Sequence, residues 1–172
     1  QYISLYQNDN NKFCGIPDKR ELTVQISRGC PYNCSYCDVQ IVQGKRERRL
    51  SVDSLFSYLK NEMQKKSFDY ISFYAPVFTL DQQWVKQFCS RKIENNDSFK
   101  WKCVTTIDNL NEEIIRIMGQ AGCFRISVGI ESIISQSQKE LIKNKQLEIN
   151  QLIILAKLCM QLNIQLNCFI MV

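Results

Sequence analysis

Short β-prone runs alternate along this chain with longer amphipathic stretches, and that alternation restricts the possible folds more than any other property of the sequence. Glu21 to Ser27 puts Leu22, Val24 and Ile26 on one face at the two-residue period of a strand. Phe68–Tyr74, Trp101–Ile107, Cys123–Ile130 and Ile164–Val172 are four further β-prone runs. Between them lie helix signals. Ser51 is placed to cap a helix whose apolar stripe is Val52, Leu55, Phe56, Leu59 and Met63. Asp81 is placed to cap a second, with Trp84, Val85 and Phe88 facing inward. Asn111-Glu112-Glu113 starts a third with acids in its first turn, Ile114, Ile115, Ile117 and Met118 on its buried side and Gly122 at its end. Ser135 to Lys145 is a polar helical piece, and Leu147 to Leu162 an amphipathic helix carrying Leu152, Ile153, Ala156, Leu158, Cys159 and Leu162. Strands that alternate with helices pair in parallel through right-handed crossovers. The expected fold class is α/β, a partial (β/α) TIM-type barrel of about five parallel strands with outer helices. Phe169-Ile170-Met171-Val172 falls inside what reads as a buried parallel strand, so the barrel is expected to be truncated at the C-terminus. Residues 1–21 are polar and turn-rich and read as an irregular N-terminal arm; residues 22–172 read as one domain.

The chemistry of the chain concentrates just past the first strand, in Cys30-Pro31-Tyr32-Asn33-Cys34-Ser35-Tyr36-Cys37. Three thiolates at C-x3-C-x2-C spacing are close enough to share one small inorganic group. A 4Fe-4S cluster normally takes four cysteines; three leave one iron free to bind something from solution, as catalytic metal sites keep a position vacant. Zinc and three unrelated buried cysteines are the competing readings. Zinc would call for a fourth Cys or His nearby, whereas the chain has no His and Cys14 and Cys89 are distant in sequence.

Cys30-x3-Cys34-x2-Cys37, with the aromatic Tyr36 before the third cysteine, resembles the signature of the radical S-adenosylmethionine (radical SAM) enzymes, and the resemblance extends from about Thr23 to the end of the chain. It implies a radical SAM enzyme core in which Cys30, Cys34 and Cys37 are the metal ligands. In that family the open iron is chelated by the amino and carboxylate groups of S-adenosylmethionine. The reduced cluster passes an electron to the sulfonium, giving methionine and a deoxyadenosyl radical that abstracts hydrogen. Arg125-Ile126-Ser127-Val128-Gly129-Ile130-Glu131-Ser132 matches the family's fourth-strand motif, which implies that Ser127 and Glu131 border the ribose and methionine parts of the cofactor. Tyr36 is implied to pack near adenine. Lys143, about a dozen residues after the acid, stands where relatives carry a cation for the cofactor carboxylate. Where the family often has Gly-Gly-Glu after the second strand, this chain reads Phe73-Tyr74-Ala75-Pro76, so a contact to the methionine amino group would come from backbone carbonyls. Val39 to Gly44 followed by Arg48-Arg49-Leu50-Ser51 is similar to the same stretch in cobalamin-linked relatives. Cobalamin is therefore a further candidate cofactor, although its domain is not in this chain. C-methylation, rearrangement and methylthiolation remain open as reactions, and the substrate as small molecule, peptide or RNA. An electron donor such as flavodoxin or ferredoxin is implied as partner. The alternative function is a non-catalytic iron–sulfur binding module of the same ancestry.

Composition bears on the remaining classes. With no histidine, proton transfer falls to Tyr, Lys, Glu, Asp, Cys or water. Net charge is only +5. The run Lys45-Arg46-Glu47-Arg48-Arg49 reads either as a contact for phosphate or an acidic peptide, or as a solvated loop. Thr105 and Thr106 at the end of the third strand are candidate ligand contacts. Nine cysteines, with Cys89, Cys103, Cys123, Cys159 and Cys168 inside apolar runs, suit a reducing cytoplasm better than a disulfide scaffold. No apolar run is long enough for a membrane span.

Overall fold

The computed structural model describes residues 4–7, 15–132 and 149–171. The strands are β1 (Ser4–Gln7), β2 (Glu21–Gln25), β3 (Ser27–Arg28), β4 (Arg48–Arg49), β5 (Tyr70–Tyr74), β6 (Lys100–Thr106), β7 (Cys123–Glu131) and β8 (Gln165–Ile170). The helices are α1 (Val39–Gln43), α2 (Val52–Lys65), α3 (Gln82–Glu94), α4 (Glu112–Gln120) and α5 (Ile149–Gln161). One sheet has the order β1-β2-β5-β6-β7-β8, and β3 and β4 form a separate antiparallel pair. Within the six-stranded sheet every pairing from β2 through β8 is parallel, as the strand–helix alternation requires. The expected polar helical piece at 135–145 lies outside the described residues.

Caps read from the sequence are made. Ser51 accepts from the Ser54 amide, Asp81 from Trp84 and Asn111 from Ile114. Gly122, at φ +82, ends α4 in the left-handed conformation that glycine adopts without cost. Two details of the helix stripes shift. In α2 the buried set is Val52, Leu55, Leu59 and Glu62, while Met63 is exposed; Glu62 is held by the Lys65 ammonium at 2.8 Å. In α5 Ile153 is exposed rather than inward.

Four expectations need correction. The arm before residue 22 is not irregular throughout, because Ser4–Gln7 pairs antiparallel with β2 and covers that edge. From Asp38 to Leu50 the sequence reads as loop, yet the stretch holds α1 and β4. That helix is five residues long, rich in β-branched residues and without a side-chain cap, so no periodic signal marks it. The last strand is not buried on both sides; Cys168 and Ile170 are exposed on β8, the last strand of the sheet. Thr105 is buried with its hydroxyl 2.5 Å from that of Thr79, which removes it as a ligand contact.

The two faces of the sheet differ in kind. Leu22, Val24, Ile71, Phe73, Trp101, Cys103, Ile126 and Val128 pack with the helices in one core. Phe73, Phe78, Trp84, Phe88 and Trp101 form its aromatic centre, with Trp101 and Phe78 centroids 5.2 Å apart. Both indoles are satisfied, Trp101 Nε1 donating to Ala121 O at 2.8 Å and Trp84 Nε1 to Leu50 O at 2.7 Å. On the opposite face, register aligns Thr23, Ser72, Lys102, Arg125 and Gln165 in one row. A closed barrel normally fills its interior with bulky branched side chains; here that face is polar, a surface suited to a ligand. At its lower end Lys102 Nζ meets Glu21 Oε2 at 2.9 Å, with the two side chains only 8% and 2% exposed.

Candidate active site at the carboxyl rim of the sheet

The cysteine loop leaves the sheet at the carboxyl end of β2, the rim where strand ends of such folds converge. Its two ends are pinned together. The Cys30 amide donates to Gly44 O at 3.1 Å, and the Gly29 amide to Gln43 Oε1 at 3.3 Å. At Gly29, φ +89, an added Cβ would stand 2.1 Å from the Arg46 carbonyl oxygen, so the close approach of the two chain segments requires glycine. Inside the loop Gln40 Nε2 donates to Tyr32 O at 2.6 Å, and the Cys37 amide closes a turn on Cys34 O at 3.2 Å. Cys30 is buried, Cys34 half-buried and Cys37 exposed, and all three are free thiols.

Two other strand ends meet this loop. Asn109 Nδ2, just past β6, donates to the Tyr32 hydroxyl at 2.7 Å and to Thr106 Oγ1 at 2.6 Å. Thr106 is thus occupied by its own rim. At the end of β7, the Glu131 carboxylate and the Cys34 thiol stand beside the Tyr36 hydroxyl. Partial burial, then the neighbouring Glu131 and Cys34, push the Tyr36 phenol well above the ordinary tyrosine range, so it stays a donor. Glu131 adopts φ +62, and the register with β8 shifts there. Its carboxylate folds back over Gly129, where an added Cβ would lie 2.4 Å from Oε1.

The structure therefore gathers Cys34, Tyr36 and Glu131 at one point. Ser127 is buried on β7, paired with Val104 and Asn167, two residues below Gly129. Lys143 lies outside the described residues. Gln40, Gln43, Tyr32 and Asn109 were not singled out by the sequence reading: isolated amides and a phenol in loops carry no periodic or motif signal. The basic run divides: Lys45, Arg46 and Arg48 are exposed, with Arg48 Nη2 donating to Gln43 O at 2.9 Å, while the Arg49 side chain is 7% exposed and its guanidinium is bonded inward.

Among the described residues no three His, Cys, Asp or Glu side chains stand gathered to hold a metal ion. The donor chemistry nonetheless fits an iron–sulfur cluster rather than zinc. Three free thiols share one closed loop at the rim, and histidine is absent from the chain. At the root of that loop the Ser27 hydroxyl is buried with no hydrogen-bond partner among the described residues.

Comparison with known proteins supplies the lineage. The family model of the Radical SAM superfamily matches residues 24–172. The chain is 29% identical over 128 residues to an uncharacterized methyltransferase of Pyrococcus horikoshii, covering 74% of this chain and 27% of that protein. It is 23% identical over 146 residues to the cytidylyl-2-hydroxyethylphosphonate methyltransferase of Streptomyces wedmorensis, covering 85% and 27%. The chain thus spans 27% of the length of each of these curated relatives. Among solved structures, it superposes on the radical S-adenosylmethionine methyltransferase TsrM from Kitasatospora setae, solved with cobalamin and a 4Fe-4S cluster. The TM-score is 0.79 at 15% identity, over 93% of this chain and 34% of that one. The cobalamin-dependent S-adenosylmethionine radical enzyme OxsB, with aqua-cobalamin bound, gives 0.71 at 22% identity, over 87% and 23%. At these identities the likeness is one of fold.

Proposed function

This chain belongs to the radical SAM superfamily, and on that premise we propose that it is the catalytic core of a methyltransferase-type radical enzyme using a 4Fe-4S cluster and S-adenosylmethionine. The observation that carries the reading is the closed loop of Cys30, Cys34 and Cys37 at the rim, with Glu131 of β7 drawn against it through Tyr36. The three thiolates are the proposed cluster ligands. Bound there, a 4Fe-4S cluster would supply one-electron reduction of the sulfonium of S-adenosylmethionine.

The chain's own residues bind and orient. Glu131 at a strand end accepts hydrogen bonds from ribose hydroxyls or an ammonium. Tyr36, protonated throughout the working range, remains a donor and brings its ring to the same edge. Ser127 and, in sequence, Lys143 complete the proposed cofactor contacts. The hydrogen bonds between the two ends of the loop fix its root. Methyl transfer is favoured as the reaction class by the names of the curated relatives. The cobalamin of TsrM and OxsB, with the Val39–Ser51 resemblance, makes cobalamin the candidate further cofactor.

Anoxic reconstitution with iron and sulfide, then dithionite and S-adenosylmethionine with deoxyadenosine measured by mass spectrometry, tests the reading. About four irons per chain and product formation are expected, with both lost in Cys30→Ala, Cys34→Ala and Cys37→Ala. A colourless, iron-free protein, or full product from Cys34→Ala, contradicts it. Cluster absorbance without product would favour the binding module instead.

A further inference from the structure

We propose that Arg49 is a positioning residue: it ties the root of the cysteine loop to the corner after β5, so that cluster and cofactor are held at one separation. The proposal rests on the functional reading above and deepens it.

The geometry is specific. Arg49 lies on β4, opposite Ser27 of β3, in the hairpin from which the cysteine loop springs. Its guanidinium leaves that hairpin and crosses to the neighbouring strand end. Nη1 donates to Phe78 O at 2.8 Å and Nη2 to Val77 O at 3.0 Å. Nε donates to Glu47 Oε1 at 3.1 Å, and Nη2 also pairs with that carboxylate. The guanidinium carbon stands 4.9 Å from the centroid of the Trp84 ring. All three nitrogens are therefore engaged, which is what allows a cationic side chain to be only 7% exposed.

Val77 and Phe78 follow directly on Tyr74-Ala75-Pro76, the corner where the chain lacks the family's carboxylate. That corner is attached to the sheet behind it through Phe78 N to Val104 O at 3.0 Å and Thr79 N to Thr105 Oγ1 at 3.2 Å, and its first residue to β2's end through Ile26 N to Tyr74 O at 2.9 Å. Arg49 adds a side-chain tie from the hairpin of the cysteine loop to the far half of the corner. Only a planar fork serves. Two carbonyls and a carboxylate lie in different directions, and a lysine ammonium at the end of a flexible stem presents no fixed plane. A merely stabilising arginine would lower the melting temperature when removed. A positioning arginine also changes how the two loops move together and how tightly the cofactor binds.

The test uses Arg49→Gln and Arg49→Lys, with Arg91→Gln, which cuts the Arg91–Asp53 pair between α2 and α3, as the stability control. Hydrogen exchange on the cluster-free chain is read first. Arg49→Gln is expected to deprotect residues 27–30 and 75–79 together, and Arg91→Gln neither. In the reconstituted protein, iron content is expected to stay at the wild-type level. The Michaelis constant for S-adenosylmethionine should rise roughly 10- to 100-fold, and its perturbation of the reduced cluster's electron paramagnetic resonance spectrum should weaken. Should Arg49→Gln fail to fold, Arg49→Lys carries the same readings with smaller changes. Unchanged exchange at 75–79, or an unchanged Michaelis constant beside a lowered melting temperature, overturns the proposal. A wild-type protein that takes up no iron and makes no deoxyadenosine overturns the functional reading, while joint deprotection in the cluster-free chain would still report the strut.

Discussion

The hydroxyl of Tyr36 stands beside the carboxylate of Glu131, although 95 positions separate them in sequence and they belong to different strand ends. The approach brings the cysteine loop after β2 to the terminus of β7 across the width of the sheet. A protonated phenol next to a carboxylate is placed to orient it as an acceptor for a ligand hydroxyl.

Glu131→Gln is expected to raise the Michaelis constant for S-adenosylmethionine by about tenfold or more, since hydrogen bonds to a charged acceptor contribute about 1.5–3 kcal/mol. Tyr36→Phe should cost less, because it loosens the carboxylate without removing it. A difference ultraviolet titration of wild type against Tyr36→Phe checks the phenol itself. Its ionisation should be missing at the ordinary tyrosine pH of about 10 and displaced upward; a normal tyrosinate step there contradicts the Glu131 contact.

Gly129→Ala tests the fold-back of Glu131. The backbone at Gly129 has no positive φ, so alanine fits the strand, but its Cβ takes the place of Glu131 Oε1. The carboxylate must swing away. Cofactor affinity should fall roughly 10- to 100-fold with the melting temperature nearly unchanged. Wild-type affinity in a folded Gly129→Ala protein would remove Glu131 from the cofactor site.

Lys102→Met leaves the Glu21 carboxylate buried after losing its ammonium, with the Tyr70 hydroxyl at 2.7 Å and Thr23 Oγ1 at 2.7 Å still bonded to it. Removal of one partner from a buried pair costs about 3–5 kcal/mol, while replacing both is far cheaper. Urea denaturation should therefore show Lys102→Met as much less stable than Lys102→Met with Glu21→Gln. Equal loss in the two would mean that the pair is not desolvated.

Alkaline pH should destabilise the fold. Burial pushes the Cys159 thiol up to about 11 from the ordinary 9.0, with Cys123 and Cys168 nearby adding to the effect. The unfolded chain then ionises first, so the stability is fully present below pH 9 and is lost as pH rises towards 11. Cys89, Cys123 and Tyr70 shift in the same direction by burial, and Lys92, lowered by burial, works against them. Thermal midpoints measured from pH 9 to pH 11 should fall, and less steeply in Cys159→Ala. A flat profile would place these thiols in contact with water.

Period and spacing alone determined the strand–helix alternation, the three capped helices, the parallel pairing and the three clustered cysteines, because each rests on residues near one another in the chain. The fourth-strand motif likewise pointed to Glu131. Only the tertiary structure decided what that acid touches, that Arg49 turns inward to the carbonyls of Val77 and Phe78, that Thr105 is spent on Thr79, and that Cys168 is exposed on the last strand of the sheet. A side chain's partner across a sheet depends on register, on backbone turns such as those at Gly29 and Glu131, and on which strands adjoin. None of these leaves a local pattern in sequence, whereas an apolar stripe does.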